Sequence, residues 1–108
     1  MEILEYVDVN GVSPFGDWFQ NLEAQSAAKV STAVTRLSLG NRSNVKGVGA
    51  GVLELKIDFG PGYRVYFGAD GGQLVILLAG GTKQRQQRDI ADAQKRWADY
   101  KDRKKGKA

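Results

Sequence analysis

Two adjoining segments hold the residues best suited to chemistry. Glu54, Lys56 and Asp58 alternate with Leu53, Leu55, Ile57 and Phe59. After Gly60-Pro61-Gly62, Arg64 and Tyr66 alternate with Tyr63, Val65 and Phe67. A period of two sends the polar and apolar sets to opposite faces of a strand. Antiparallel pairing across the turn then brings Lys56 beside Arg64, with Tyr66 near them. The segment Thr82-Lys83-Gln84-Arg85-Gln86-Gln87-Arg88 leaves the sheet edge and adds Lys83, Arg85 and Arg88. The predicted result is a concave patch of cations, a phenol and amides. Such a patch suits an RNA backbone with a stacked base. The same pattern also describes solvated charges pairing across strands, which contribute little. Residue types alone leave both readings open.

Composition narrows the chemistry. The chain has 108 residues, no Cys and no His. That removes disulfides, thiolate metal sites, the commonest metal ligand and the usual neutral-pH acid/base group. Proton transfer is left to Lys, Arg, Tyr, Asp or Glu, and no metal or other cofactor is expected. Asp89, Asp92, Asp99 and Asp102 lie among bases at helical spacing, so pairing along a helix explains them without a cation. The Gly-Ala-Gly and Gly-Pro-Gly stretches match neither a P-loop nor a G-x-G-x-x-G pattern and read as turns.

The elements that must position these residues follow from periodicity. Residues 2–9 read as a first strand. Ser13-Pro14 supplies an N-cap and a first-turn proline, and Phe15, Trp18, Phe19 and Leu22 form one apolar helical face. Ser26 is the expected cap of a second helix running to about Leu39, with Gly40 as its stop. Residues 41–51 are Gly-rich loop with room for a short strand near Val45–Val48. Strands follow at Leu53–Phe59, Tyr63–Phe67 and Leu74–Leu78, the last apolar on both faces and therefore central. Gly80-Gly81 is expected to break that strand. A last helix is expected from about Lys83 to Arg103, with a weak stripe at Ile90, Ala93, Trp97 and Tyr100. The predicted fold is α+β, β-α-α-β-β-β-α, with a helical hairpin on a small, mostly antiparallel sheet. It forms one domain over residues 1–103 and a disordered basic tail over 104–108.

Charge is uneven. Residues 1–60 carry a net −2 and residues 61–108 a net +6. A basic half suits a polyanion, although a solvated helix with a frayed tail has the same signature. The N-terminus lacks a basic stretch followed by an apolar run, and the longest apolar stretch, Leu74–Ala79, is too short to span a bilayer. The expectation is a cytoplasmic protein without a membrane partner.

The stretches LELKIDFGPGYRVYF and LVILLAGGTKQRQQRDIADAQKRW strongly resemble the phage-derived Gp49-like/HigB branch of the RelE/ParE toxin superfamily. The resemblance runs from the Pro14–Phe19 helix to Trp97, and its GYRVYF and LLxGGxK…D-I segments are the most specific. It implies a RelE-like fold and a type II toxin–antitoxin toxin that cuts messenger RNA in the ribosomal A site. It also implies a helix-turn-helix antitoxin as partner. The implied chemistry is metal-free attack of a ribose 2′-OH on the adjacent phosphate. Arg64 matches the family's strand arginine and would stabilise the phosphate. Lys56 matches a sheet lysine if the turn gains one residue, as base or electrostatic helper. Lys83 matches the lysine after the last strand, on the leaving-group or ribosomal RNA side. Glu54, Tyr66, Arg85 and Arg88 are the expected RNA contacts. Glu54 stands where the family has a second lysine, Gln84 where it has an arginine, and Ile90 near its C-terminal tyrosine. The same superfamily offers two other readings: a ParE-like gyrase poison, or a degenerate protein that only binds RNA or an antitoxin.

Overall fold

The computed structural model describes residues 1–106. Its elements run β1 (Glu2–Glu5), α1 (Pro14–Gln20), α2 (Ala24–Ser38), β2 (Val45–Gly47), β3 (Leu53–Ile57), β4 (Tyr63–Asp70), β5 (Leu74–Thr82) and α3 (Gln86–Lys105). A 3-10 turn at Lys83–Arg85 joins β5 to α3. The five strands form one sheet in the order β1-β5-β4-β3-β2. β2 to β5 are antiparallel neighbours, and β1 adds to β5 in parallel. The α+β class and the RelE-like order expected from the sequence are present.

Local chemistry explains most boundaries. Ser13 Oγ accepts from the Gly16 N–H at 3.0 Å, and Pro14 opens α1, as its sequence predicts. β1 ends at Glu5 rather than Val9 because Asp8 folds the next residues into a turn. Its carboxylate accepts from the N–H groups of Asn10 and Val12, and Gly11 supplies the positive φ of 79°. α2 begins at Ala24, ahead of the expected cap. Ser26 lies inside the helix, buried, where its hydroxyl donates to Glu23 and accepts from Tyr63 Oη, each at 3.1 Å. It therefore fastens α2 to the sheet.

The sheet carries core on both faces. On one side α1 and α2 cover Leu55, Ile57, Val65, Phe67, Val75 and Leu77 with Phe15, Val30 and Leu37. On the other, α3 lays Ala93 and Trp97 over Tyr66, Ile76, Leu78 and Ala79. The expectation of an open polar face is thereby corrected, since α3 roofs much of it. A register shift between Tyr66 and Phe67 marks a bulge where both Leu78 and Ala79 join the α3-side core.

Gly80-Gly81 does not break β5, which continues to Thr82. A Cβ at Gly80 would collide with the Trp18 ring, and one at Gly81 with the Asp89 carboxylate. The pair is the contact point for a helix on each face, a use of strand glycine distinct from a turn. α3 extends to Lys105, two residues beyond its expected end and into the expected tail. Positions 107 and 108 of that tail lie outside the described residues.

Candidate functional site

Strand register builds the site. Lys56 pairs directly with Arg64, and Glu54 with Tyr66, on β3 and β4. Arg64 pairs in turn with Gly81 of β5. The carbonyl of Gly62 then ties two of these residues together, one by its side chain and one by its backbone. It accepts from Arg64 Nη1 and from the Lys83 backbone N–H, each at 2.9 Å. Gly62 sits at φ 79°, a left-handed conformation that favours glycine, and a Cβ there would crowd Arg64 Nη1 at 3.2 Å. Lys56, Arg64 and Lys83 therefore meet at one corner of the sheet.

Their surroundings differ. Lys56 and Lys83 are exposed. Lys56 Nζ pairs with Asp58 at 3.5 Å, a solvated pair of small energetic weight. Lys56 also borders a groove of about 350 Å³ that Lys29 and Arg36 of α2 share. Arg64 is 6% exposed. Its Nε lies 3.8 Å from Glu54 Oε1 and makes no hydrogen bond among the described residues. Glu54 is 1% exposed, and its charge is offset by Arg64, by Lys46 Nζ at 3.8 Å and by a hydrogen bond from Gln86 Nε2 at 2.8 Å. Burying a carboxylate this deeply requires such compensation.

Tyr66 is fully buried beneath α3, and among the described residues its hydroxyl makes no hydrogen bond of ordinary geometry, although Glu54 lies near enough to act on it. Burial, with Glu54 and Asp89 nearby, pushes its pKa upward, so the phenol keeps its proton. With α3 in place neither Tyr66 nor Glu54 is open to a polynucleotide, so their expected role as direct RNA contacts does not fit this conformation. Arg85 and Arg88 are exposed on the turn and first residues of α3. Among the described residues, no three acidic side chains converge as a metal cage.

Sequence reasoning missed Asp89. It was expected to pair with basic residues along a helix, yet it is 7% exposed and packs against Gly81. Burial raises its pKa against the opposing pull of Arg85. The signal was present in the Gly81 that makes room for it. Gln86 and Lys46 also went unnoticed, because only the pairing of β2 with β3 and the angle of α3 bring them to Glu54.

Among the described residues no helix is long and apolar enough to cross a membrane. The family model described as "Phage derived protein Gp49-like (DUF891)" matches residues 17–98. An uncharacterized protein of Haemophilus influenzae is 40% identical over 88 residues, which span 81% of this chain and 89% of the relative. The matched region takes in the sheet corner, Asp89 and Trp97. A toxin-type family implies an antitoxin partner in general. The chain belongs to the phage-derived Gp49-like family, within the RelE/HigB-type addiction-module toxin group.

Proposed function

We propose that the chain is the toxin of a type II toxin–antitoxin pair, a cytoplasmic endoribonuclease that cuts messenger RNA in the ribosomal A site. The observation that carries the reading is that the Arg64 guanidinium and the Lys83 backbone N–H share the Gly62 carbonyl, with Lys56 in register beside Arg64, so three residues with cationic side chains start from one corner of the sheet. In-line cleavage needs cations where phosphorane charge develops. The ribose 2′-oxygen loses its proton and bonds to the adjacent phosphorus. The bond from phosphorus to the 5′-oxygen breaks, leaving a 2′,3′-cyclic phosphate and a 5′-hydroxyl. Arg64, held by Glu54 and Gly62, presents a fixed guanidinium to the nonbridging oxygens. Lys83 serves the leaving-group side, and Lys56 the 2′-hydroxyl. A helix-turn-helix antitoxin silences the protein by covering this basic face or α3.

The test is a reconstituted translation system with a defined messenger, mapping new 5′ ends with and without ribosomes. Cuts are expected only on translating ribosomes. Arg64→Lys keeps charge but loses the guanidinium's fixed geometry. Arg64→Ala is expected to lower cleavage about a hundredfold or more, as when a preorganised donor is removed. Circular dichroism checks the fold, since Arg64→Ala leaves Glu54 with less compensation. An intact messenger alongside toxicity in cells would turn the reading to gyrase, with the corner as a binding surface.

A further inference from the structure

The far end of α3 carries a second feature, which the cleavage chemistry does not use. Trp97, Tyr100, Lys101, Lys104 and Lys105 recur at i, i+3, i+4, i+7 and i+8, so they share one helix face. They line a groove of about 480 Å³ with Ala69 and Asp70 at the end of β4. Its floor is aromatic. The Trp97 and Tyr100 rings stack with centroids 5.2 Å apart and planes 6° from parallel. Trp97 is anchored against Gly68, where a Cβ would overlap its ring, so the platform is fixed from below. Lys101 Nζ stands 5.6 Å from the Trp97 ring centroid. Asp70 is already engaged by Lys104 and by the Tyr100 hydroxyl, which leaves its charge neutralised. Lys101 and Lys105 have no carboxylate partner among the described residues.

We infer that this groove is a second nucleic-acid site, where an unpaired base stacks on the half-buried Tyr100 ring, itself backed by the buried Trp97, and the flanking lysines hold its phosphates. Single-strand sites combine an aromatic shelf with a cationic rim, and this stripe has both. The groove lies at the opposite end of β4 and α3 from Gly62 and Lys83. It therefore anchors a separate stretch of RNA rather than the cleaved phosphate. An acidic protein segment would use the lysines but would leave the flat apolar floor without a matching surface.

The test uses a fluorescently labelled 2′-O-methyl RNA 12-mer, which cannot be cut by 2′-hydroxyl attack, followed by anisotropy across a salt series. Single strand is expected to bind more tightly than the duplex of the same sequence, because only unpaired bases offer their faces. Lys101→Gln with Lys105→Gln is expected to weaken binding roughly tenfold and flatten the log–log salt slope by about 1.4, or 0.7 per lost contact. Tyr100→Ala is expected to cost on the order of tenfold, and Tyr100→Phe, which keeps the stack, to restore it. The Phe and Gln variants retain the helix, so a misfolded Ala variant does not remove the test. Unchanged RNA affinity in the lysine variant, or equal binding of duplex and single strand, overturns the inference. So does loss of antitoxin capture by a lysine variant that still binds RNA normally, which would make the groove a protein-docking surface. Ribosome-dependent cleavage bears on neither result.

Discussion

Tyr66 is the most enclosed polar side chain near the site, and among the described residues its hydroxyl makes no well-formed hydrogen bond. An unsatisfied buried donor costs about 1–3 kcal/mol. Tyr66→Phe should therefore preserve or raise stability, read as the urea midpoint. A fall of more than about 1 kcal/mol would show instead that the hydroxyl is bonded in solution. Asp89 poses the same question with a charge. Burial raises its pKa in the folded chain, whereas an unfolded Asp titrates near the ordinary carboxylate value of about 3.9. Below that value both states hold the proton and the group is neutral to stability. As pH rises through the window up to the raised value, the unfolded state ionises first and stability falls. Asp89→Asn removes this penalty. Its advantage over the parent should grow from about pH 4 upward and then level off. A difference that stays constant from pH 4 to 7 would show that the carboxylate is compensated.

At the scale of elements, the Gly80-Gly81 pair decides how close the helices come. Gly80→Ala forces a methyl into the Trp18 ring and should destabilise by about 1–3 kcal/mol. Combining it with Trp18→Leu should recover part of that loss in a double-mutant cycle, because the clash is shared. Additive losses would locate the cost in the strand backbone. The same pair shows where the sequence was legible. Alternation at Leu53–Phe59 and Tyr63–Phe67 specified β3, β4 and their register, because period and turn chemistry are local. Ser13-Pro14 and the Phe15-Trp18-Phe19 face specified α1 for the same reason. A glycine pair in an apolar strand has two local meanings, a break or a close approach. Only tertiary partners choose between them, and those partners lie in α1 and α3. The stripe Ile90, Ala93, Trp97 and Tyr100 was readable, but the helix is otherwise so polar that its seat over Tyr66 was not. As a result Lys56, Arg64 and Lys83 came together as expected, while Glu54 and Tyr66 were found beneath a roof.

Across the whole molecule, the seating of α3 governs both the closed face and the aromatic groove. The stretch of α3 up to Trp97 is held by core, with Ala93 fully buried and Trp97 nearly so. The rest of the helix is held by carboxylates. Asp99 accepts from Tyr6 Oη at 2.7 Å and pairs with Arg103, whose Nη2 also donates to the Val7 carbonyl at 2.6 Å. Asp70 accepts from Lys104 and from Tyr100 Oη, the latter at 2.7 Å. Lys104 and then Tyr100 hold the Asp70 pKa below the ordinary range, and the Tyr6 hydroxyl and then Arg103 do so for Asp99. A lowered folded pKa has the opposite sign to that of Asp89. Its contribution is complete above the unfolded value of about 3.9 and disappears as pH falls through the lowered one. Acid should therefore loosen the last turns of α3 first, while the core under Ala93 still holds. Hydrogen exchange at pH 7 should show faster exchange of Trp97–Arg103 amides in Asp70→Asn with Asp99→Asn than in the parent. The two proteins should converge as pH drops through the lowered carboxylate values, where the parent loses the same charges. An unchanged α3 in that variant at pH 7 would mean that packing of Trp97 on Gly68 alone seats the helix. The roof over Tyr66 and Glu54 would then be a fixed part of the fold that acid does not open.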